Sequence, residues 1–351
     1  MTIADSIPIW LDCDPGNDDA FAILLAAFHP KFNLLGISTV YGNAPNSSTT
    51  HNALALLDVL GAEQDQIKVY SGENKPLVKP VKFAPEIHGP TGIGGAKLPK
   101  TPRIKESTDQ TYLQAMRSAI LEHAGKICVI CTGTLTNMAI LIETYPEVKS
   151  KIRFVSIMGG ALNKGNATKY AEFNVHCDPL AAANVLNDEE LSGKTILTGL
   201  NITHKAIATM EVRRNIYDET NPKKDSHVRK LFYDIAMFYA ESYRVQHNIT
   251  LGPPIHDPLA VFLILALVNK QEDLADDVDF KYIKRKLKVI QEGEREGETQ
   301  IANGDLDELK EEENGVYVGL NVNVELFWSY VLKALDNAEH HVANYNQNSS
   351  M

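Results

Sequence analysis

Trp10-Leu11-Asp12-Cys13-Asp14-Pro15-Gly16-Asn17-Asp18-Asp19-Ala20 places four aspartates within eight residues, where an apolar run ends, the chain turns and a helical pattern begins. The apolar run, residues 7–11, reads as a strand, and the pattern over 18–28 reads as a helix with apolar residues three and four apart. One or two carboxylates at a helix start can cap its free N–H groups and offset its dipole. Several of them close together in a partly desolvated place repel one another unless some are protonated or a cation intervenes. The stretch therefore predicts a strand, a turn, a helix and a cation site at their junction.

The same unit recurs along the chain. Residues 34–40, 67–70, 127–131, 154–158 and 195–198 read as further strands, and 47–60, 110–123, 136–143 and 179–186 as helices between them. This alternation predicts an α/β fold, an open, mainly parallel, doubly wound sheet with flanking helices. Ligands in such sheets bind outside the carboxyl ends of the strands, and Asp14, Asn43, Thr132 and Gly159-Gly160 each follow a predicted strand. Beyond residue 200 the pattern turns helical over 228–243, 258–267 and 323–335, with strands around an acidic loop in 281–317. Its runs Glu292-Gly293-Glu294-Arg295-Glu296 and Glu311-Glu312-Glu313 read as solvated charge. A single domain is expected over 1–340, with 341–351 as a disordered tail.

With 351 residues, 44% of them hydrophobic, the chain can bury a large core. A formal net charge of -11 excludes a phosphate-backbone binder, which needs a basic face; a small-molecule partner fits better. No apolar run approaches the ~18–20 residues that span a bilayer, and the start Met1-Thr2-Ile3-Ala4-Asp5 lacks the basic residues of a secretion signal. A cytosolic protein with no membrane or nucleic-acid partner is expected. Cys13, Cys128, Cys131 and Cys177 are too few for a disulfide framework. The Cys128-x-x-Cys131 pair lies in a predicted strand, where residues three apart face opposite sides, so it reads as structural.

Oxygen-only donors point to a hard ion, and the tolerant coordination of Ca²⁺ suits such a cluster better than the strict octahedron of Mg²⁺. Gly252-Pro253-Pro254-Ile255-His256-Asp257-Pro258, at the start of an apolar helix, can close the site from afar.

Taken together, Asp12-Cys13-Asp14-Pro15-Gly16-Asn17-Asp18-Asp19, Val40-Tyr41-Gly42-Asn43, Ile87-His88-Gly89, Thr132-Gly133-Thr134-Leu135-Thr136-Asn137, Met158-Gly159-Gly160, Ala171-Glu172-Phe173-Asn174 and His256-Asp257-Pro258 resemble the nucleoside hydrolase family, in its order and at compatible spacings. The resemblance runs from about Pro8 to Asp336 and is closest to fungal uridine nucleosidases, notably through Pro8-Ile9-Trp10, Leu34-Leu35-Gly36-Ile37-Ser38-Thr39, Asn201-Ile202-Thr203-His204-Lys205-Ala206-Ile207-Ala208-Thr209 and Gly252-Pro253-Pro254-Ile255-His256-Asp257-Pro258.

The resemblance implies a calcium-dependent N-ribohydrolase, with uridine the expected substrate, built as a homodimer or homotetramer. It implies Asp14, Asp19 and Asp257 as side-chain ligands of Ca²⁺, with the Thr132 carbonyl, and Asp18 beside the attacking water and the ribose. Asp12 becomes a structural support. Asn43, Asn166, Glu172, Asn174 and Asp257 would hold the ribose hydroxyls, in the company of Met158 and Phe173. Asp14 is the expected general base and His256 the residue beside the departing base, while the amide oxygens of Asn166 and Asn174 favour positive charge on the sugar. His88, in a glycine-rich loop that lacks the pattern of a phosphate cradle, is expected to close over the substrate as a lid. Tyr239, Ser242, Tyr243 and Gln246 would set base selectivity.

Two other readings stand beside this one. Asp12-Cys13-Asp14 with a strand ending near Thr132 imitates a haloacid-dehalogenase-like phosphatase, although Gly304-Asp305 sits in the acidic loop instead of after a strand. A calcium-stabilised nucleoside-binding protein would keep the ligands without turnover.

Overall fold

The first strand, β1 (Ile7–Cys13), is buried along almost all its length. That requires cover on both faces, which is what a near-continuous apolar run, as opposed to an alternating one, provides. In the computed structural model, which describes residues 6–64, 66–221, 226–268, 273–303 and 311–348, β1 lies between two parallel neighbours, β2 (Phe32–Thr39) and β4 (Cys128–Cys131). The sheet continues through β3 (Lys68–Ser71) on one side, and through β5 (Phe154–Met158) and β6 (Thr195–Thr198) on the other. The later strands are β7 (Lys281–Arg285), β8 (Leu287–Val289), β9 (Thr299–Ile301) and β10 (Val316–Asn321). The eight-stranded order is β3-β2-β1-β4-β5-β6-β10-β7, parallel except for β7 against β10, while β8 and β9 form a separate antiparallel pair. The expected open, mainly parallel sheet with flanking helices is the observed one.

Helices cover both faces. Ile9, Leu11 and Cys13 of β1 and Cys128 and Ile130 of β4 enter one core, with the helices Asp19–Phe28 and Asp257–Val268. Trp10, Val129 and Cys131 enter the other, with Met116 and Met138. Cys128 and Cys131 thus face opposite sides, and all four cysteines are buried and free. The Asp257–Val268 helix, Asp-Pro-Leu-Ala-Val-Phe-Leu-Ile-Leu-Ala-Leu-Val, is apolar all round and buried accordingly.

The chain runs outward from β1 to β2 and β3 and then returns to the other side of β1 as β4. The carboxyl ends of β1 and β4 therefore diverge at a topological switch point, where open α/β sheets leave a crevice. Asp14 and Thr132 stand at those two ends.

Three differences from the sequence expectation concern the later half. The helix His227–His247 extends to both sides of the expected 228–243. The last helix runs Val324–Asn348, through residues assigned to a tail, because its far end is held: Arg229 pairs with Glu339 at 2.8 Å and Arg103 bonds the Tyr345 hydroxyl at 2.7 Å. Glu292 and Glu294 are exposed as expected, but Glu296 pairs with Lys79 at 3.0 Å. The described residues contain no helix long and apolar enough to cross a membrane.

Candidate active site

Asp18 occupies the N-cap position of the Asp19–Phe28 helix, yet its side chain makes no capping bond. Capping therefore does not explain the aspartates. Asp19 Oδ2 accepts from Gly16 N at 2.9 Å and from Asn43 Nδ2 at 3.0 Å, and its Oδ1 accepts from the Thr132 hydroxyl at 2.9 Å. Asp257, brought in by the first turn of its apolar helix, meets them from the far side of the sequence. Carboxylate oxygens of Asp18, Asp19 and Asp257 all lie within 4.8 Å of one another. At that separation each pair of ionised carboxylates repels by roughly 3 kcal/mol.

Asp14 is held differently. Its Oδ2 accepts from Asn43 N at 2.7 Å, whereas its Oδ1 is buried without a partner. The backbone closes around it at two glycines. A Cβ on Gly42 would lie 2.1 Å from Asp14 Oδ2, and one on Gly133 would lie 2.8 Å from Oδ1. The carboxylate trio thus contains Asp18 where the sequence reading put Asp14, and Asp14 presents the orphaned oxygen.

The electrostatics follow from burial without counter-charge. Burial and the charge of Asp19 push Asp14 well above the usual carboxylate range, and the same two causes push Asp18 up to about 7. Burial, then the charges of Asp18, Asp19 and Asp14, raise Asp257 well above that range. A divalent cation resolves this arrangement, and the unpartnered Asp14 oxygen offers it a further hard donor beside the three carboxylates. The donor set fits a hard metal.

Asp12 points away from this group. Its Oδ1 accepts from Asn137 Nδ2 at 2.7 Å and from the Ser38 hydroxyl.

A cavity of about 520 Å³ opens over the carboxylates. The structure brings to its wall Asp18, Asn43, His88, Met158, Asn166, Glu172, Phe173, Asn174, Tyr243, His256 and Asp257, together with Thr132. Asp14 and Asp19 are fully buried and do not line it.

Glu172 caps the short helix Phe173–Cys177, accepting from Asn174 N at 2.9 Å and Val175 N at 3.2 Å, and it also accepts from Gly160 N at 2.9 Å. These bonds hold a buried carboxylate whose pKa burial raises. Asn174 Nδ2 donates to Thr132 O at 2.8 Å, which turns its oxygen toward other partners. The Oδ1 of Asn166 accepts from Phe173 N at 2.9 Å, so its NH₂ end, and not the expected oxygen, is left for a sugar.

His256 lies between two hydroxyls, Tyr243 at 2.7 Å from Nε2 and Thr203 at 2.8 Å from Nδ1. Burial first, then the neighbouring histidines, lower its pKa well below the usual value, so the ring is neutral. His88 accepts from Asn17 N at 3.2 Å through Nδ1, and burial lowers its pKa to about 3. Its loop is seated on the His227–His247 helix, with Gly94 and Gly95 against Phe238. Tyr239 and Gln246 line the cavity with Tyr243, but Ser242 does not; its hydroxyl donates to Phe238 O at 3.2 Å.

Sequence reasoning gave no role to Thr203, Asn17, Lys82 or His176. Lys82 and His176 line the cavity and bond each other at 2.8 Å, and Asn17 Nδ2 ties the glycine-rich loop down through Gly94 O at 2.8 Å. No spacing links these residues in the chain. The Gly304-Asp305 pair weighed for a phosphatase lies outside the described residues.

With this geometry in hand, the sequence profile described as "Inosine-uridine preferring nucleoside hydrolase" matches residues 9–329. The chain belongs to that family. This nucleoside hydrolase is 40% identical over 342 residues to the uridine nucleosidase of Saccharomyces cerevisiae, covering 97% of this chain and 98% of the relative. It is 34% identical to a probable ribonucleoside hydrolase of Dictyostelium discoideum, covering 99% of each. Among solved structures, the purine-preferring ribonucleoside hydrolase from Gardnerella vaginalis superposes with a TM-score of 0.80 at 27% identity, covering 95% of this chain and 99% of that one.

Proposed function

We propose that this nucleoside hydrolase is calcium-dependent and prefers uridine, which it cleaves to uracil and ribose. The observation that carries the reading is the group of buried carboxylates beside a nucleoside-sized cavity, Asp18 and Asp257 in its wall and Asp14, with an unpartnered oxygen, buried close to them. The likeness to a relative named uridine nucleosidase supports the choice of base.

Asp14, Asp19, Asp257 and the Thr132 carbonyl would hold the cation, and Asp18 borders it. When bound, Ca²⁺ neutralises the carboxylates and makes a neighbouring water more acidic. Asp14 takes the water's proton as general base. Attack by that water on the anomeric carbon displaces the base and inverts the centre. Asp18, Asn43, Glu172, Asn174 and the NH₂ of Asn166 fix the ribose, and the Asn174 oxygen favours the positive charge that develops on it. The neutral line Thr203–His256–Tyr243 gives the departing base a hydroxyl or imidazole N–H as proton donor. A cytosolic homodimer or homotetramer completes the reading.

Purified protein with calcium, incubated with uridine, cytidine and inosine, should release reducing sugar fastest from uridine. No free ribose from any of them would leave a binding protein; phosphate release from phosphomonoesters instead would favour the phosphatase.

A further inference from the structure

Between Leu77, which packs on the core that holds Met116 and Met138, and the buried Ala84, the chain crosses the rim of the catalytic cavity without helix or strand. Its ends are fixed, since Leu77 N donates to Asp178 Oδ2 at 3.0 Å and Ala84 N to Asn43 O at 3.3 Å. Apolar packing does not hold the middle, where Val78, Val81 and Phe83 are 75%, 40% and 37% exposed. Among the described residues the polar contacts of 78–83 come from two lysines, and both reach His176. Lys79 Nζ donates to His176 O at 2.9 Å and pairs with Glu296, while Lys82 Nζ lies 2.8 Å from His176 Nε2. Lys82, Phe83 and Ala84 belong to one wall of the cavity, and Glu172, Phe173, Asn174 and His176 to another. The Lys82–His176 contact therefore joins two walls that lie 94 residues apart in the chain.

The ring of His176 is fixed by what it touches. Its Nδ1 lies 3.2 Å from the Glu296 carbonyl, which can only accept, so Nδ1 carries the proton. An ammonium can only donate, so Nε2 keeps its lone pair for Lys82. One neutral tautomer satisfies both partners. Burial, the largest cause, lowers the pKa of this ring, and the charges of Lys79 and Lys82 act in the same direction against the Glu296 carbonyl and carboxylate.

We propose that His176 is a positioning residue for nucleoside hydrolysis, whose neutral ring holds Lys82, and through it residues 78–83, across the rim so that Phe83 and Ala84 stand ready as cavity wall. The inference rests on the nucleoside-hydrolase reading of that cavity. It also fixes where the effect must appear. A stretch freed from its tether spends part of its time away from the rim, and apparent affinity falls in proportion to the fraction in place. A substrate once bound still meets Asp14, Asn174 and Asp257 unchanged. The tether therefore acts on KM and not on kcat.

The test measures uridine hydrolysis by the full chain with calcium present, in wild type, His176→Phe, His176→Gln, Lys82→Met and the His176→Phe/Lys82→Met double variant. His176→Phe and Lys82→Met should each raise KM about 5-fold, the cost of one charge-assisted bond at a partly exposed place, with kcat kept within about twofold. His176→Gln, whose amide can donate to the Glu296 carbonyl and accept from Lys82, should stay within about twofold of the wild-type KM. The double variant should be no worse than either single one, because both remove the same contact. A second readout does not depend on turnover. Lys75 and Lys79 each precede a proline, where trypsin does not cut, so Lys82–Phe83 is the tryptic bond of residues 73–84. Trypsin should cut it about 5-fold faster in His176→Phe than in wild type or His176→Gln. Unchanged KM in both single variants, a fall in kcat as large as the rise in KM, additive losses in the double variant, or equal cleavage in wild type and His176→Phe overturns the proposal. Should wild-type protein release no ribose from uridine, the hydrolase reading fails separately, and tryptic cleavage still decides the tether.

Discussion

Gly42→Ala is the sharpest perturbation the structure offers, because it adds one methyl group and needs no special backbone conformation. The new Cβ would lie 2.1 Å from Asp14 Oδ2, while ordinary contact begins at 3.4 Å, so the carboxylate must retreat by about 1.3 Å. It has nowhere to go cheaply. Gly133 confines Oδ1 on the other side, and moving Oδ2 breaks its 2.7 Å bond to Asn43 N. A 1 Å misplacement of a reacting group costs on the order of 100-fold in rate, and overpacking a close-packed site costs about 1–3 kcal/mol of stability. Gly42→Ala should therefore lower kcat/KM for uridine about 100-fold, weaken calcium binding measured by calorimetry, and leave a cooperative thermal unfolding transition. Wild-type kcat/KM in a folded Gly42→Ala enzyme would refute the placement of Asp14 at the reacting centre.

Asp14→Ala should abolish measurable turnover while the fold survives, because removing one of several mutually repelling buried carboxylates relieves as much strain as it creates; wild-type rates would remove both the base and the ligand assignment. Dialysis against a chelator should suppress ribose release and readdition of calcium should restore it, which an assay with magnesium in place of calcium would challenge if it restored activity equally. His29 gives a pH prediction away from the site. Burial lowers its pKa to about 4 from an ordinary 6.5, so its stabilising contribution is complete above about 6.5 and is lost as pH falls toward 4, because the unfolded chain takes up the proton first. Between pH 7.5 and 5 the wild type should lose about 2 kcal/mol relative to His29→Phe in urea titrations, and parallel losses in the two proteins would refute the assignment.

The parallel sheet was legible because covering both faces of a strand favours short, mostly apolar, β-branched runs, and residues 154–158, broken only by Ser156, and 195–198, an Ile-Leu pair between two threonines, carry such runs at the observed bounds. The helix Pro179–Leu186 was equally plain, with proline at its first turn and Asp178 capping it through Ala181 N at 3.1 Å. The carboxylate cluster was legible for an electrostatic reason: like charges so dense in sequence cannot be buried without a cation. The end of the last helix was not, since contacts from Arg229 and Arg103, far away in the chain, hold residues whose own sequence is polar.

What the sequence alone determined about this protein is what local repetition and charge density encode: a doubly wound α/β sheet, a cation site after the first strand, and membership of a nucleoside hydrolase line of descent. Only the tertiary structure decided which atoms are free to act. Asp14 keeps an unpartnered oxygen because Gly42 and Gly133 let the backbone close around it, Asn166 gives its oxygen to Phe173, and His256 is neutral between two hydroxyls. Each of these depends on partners brought together by the crossing of strands and helices, and hydrogen-bond partners and desolvation are properties of a place in space, which spacing along a chain does not carry.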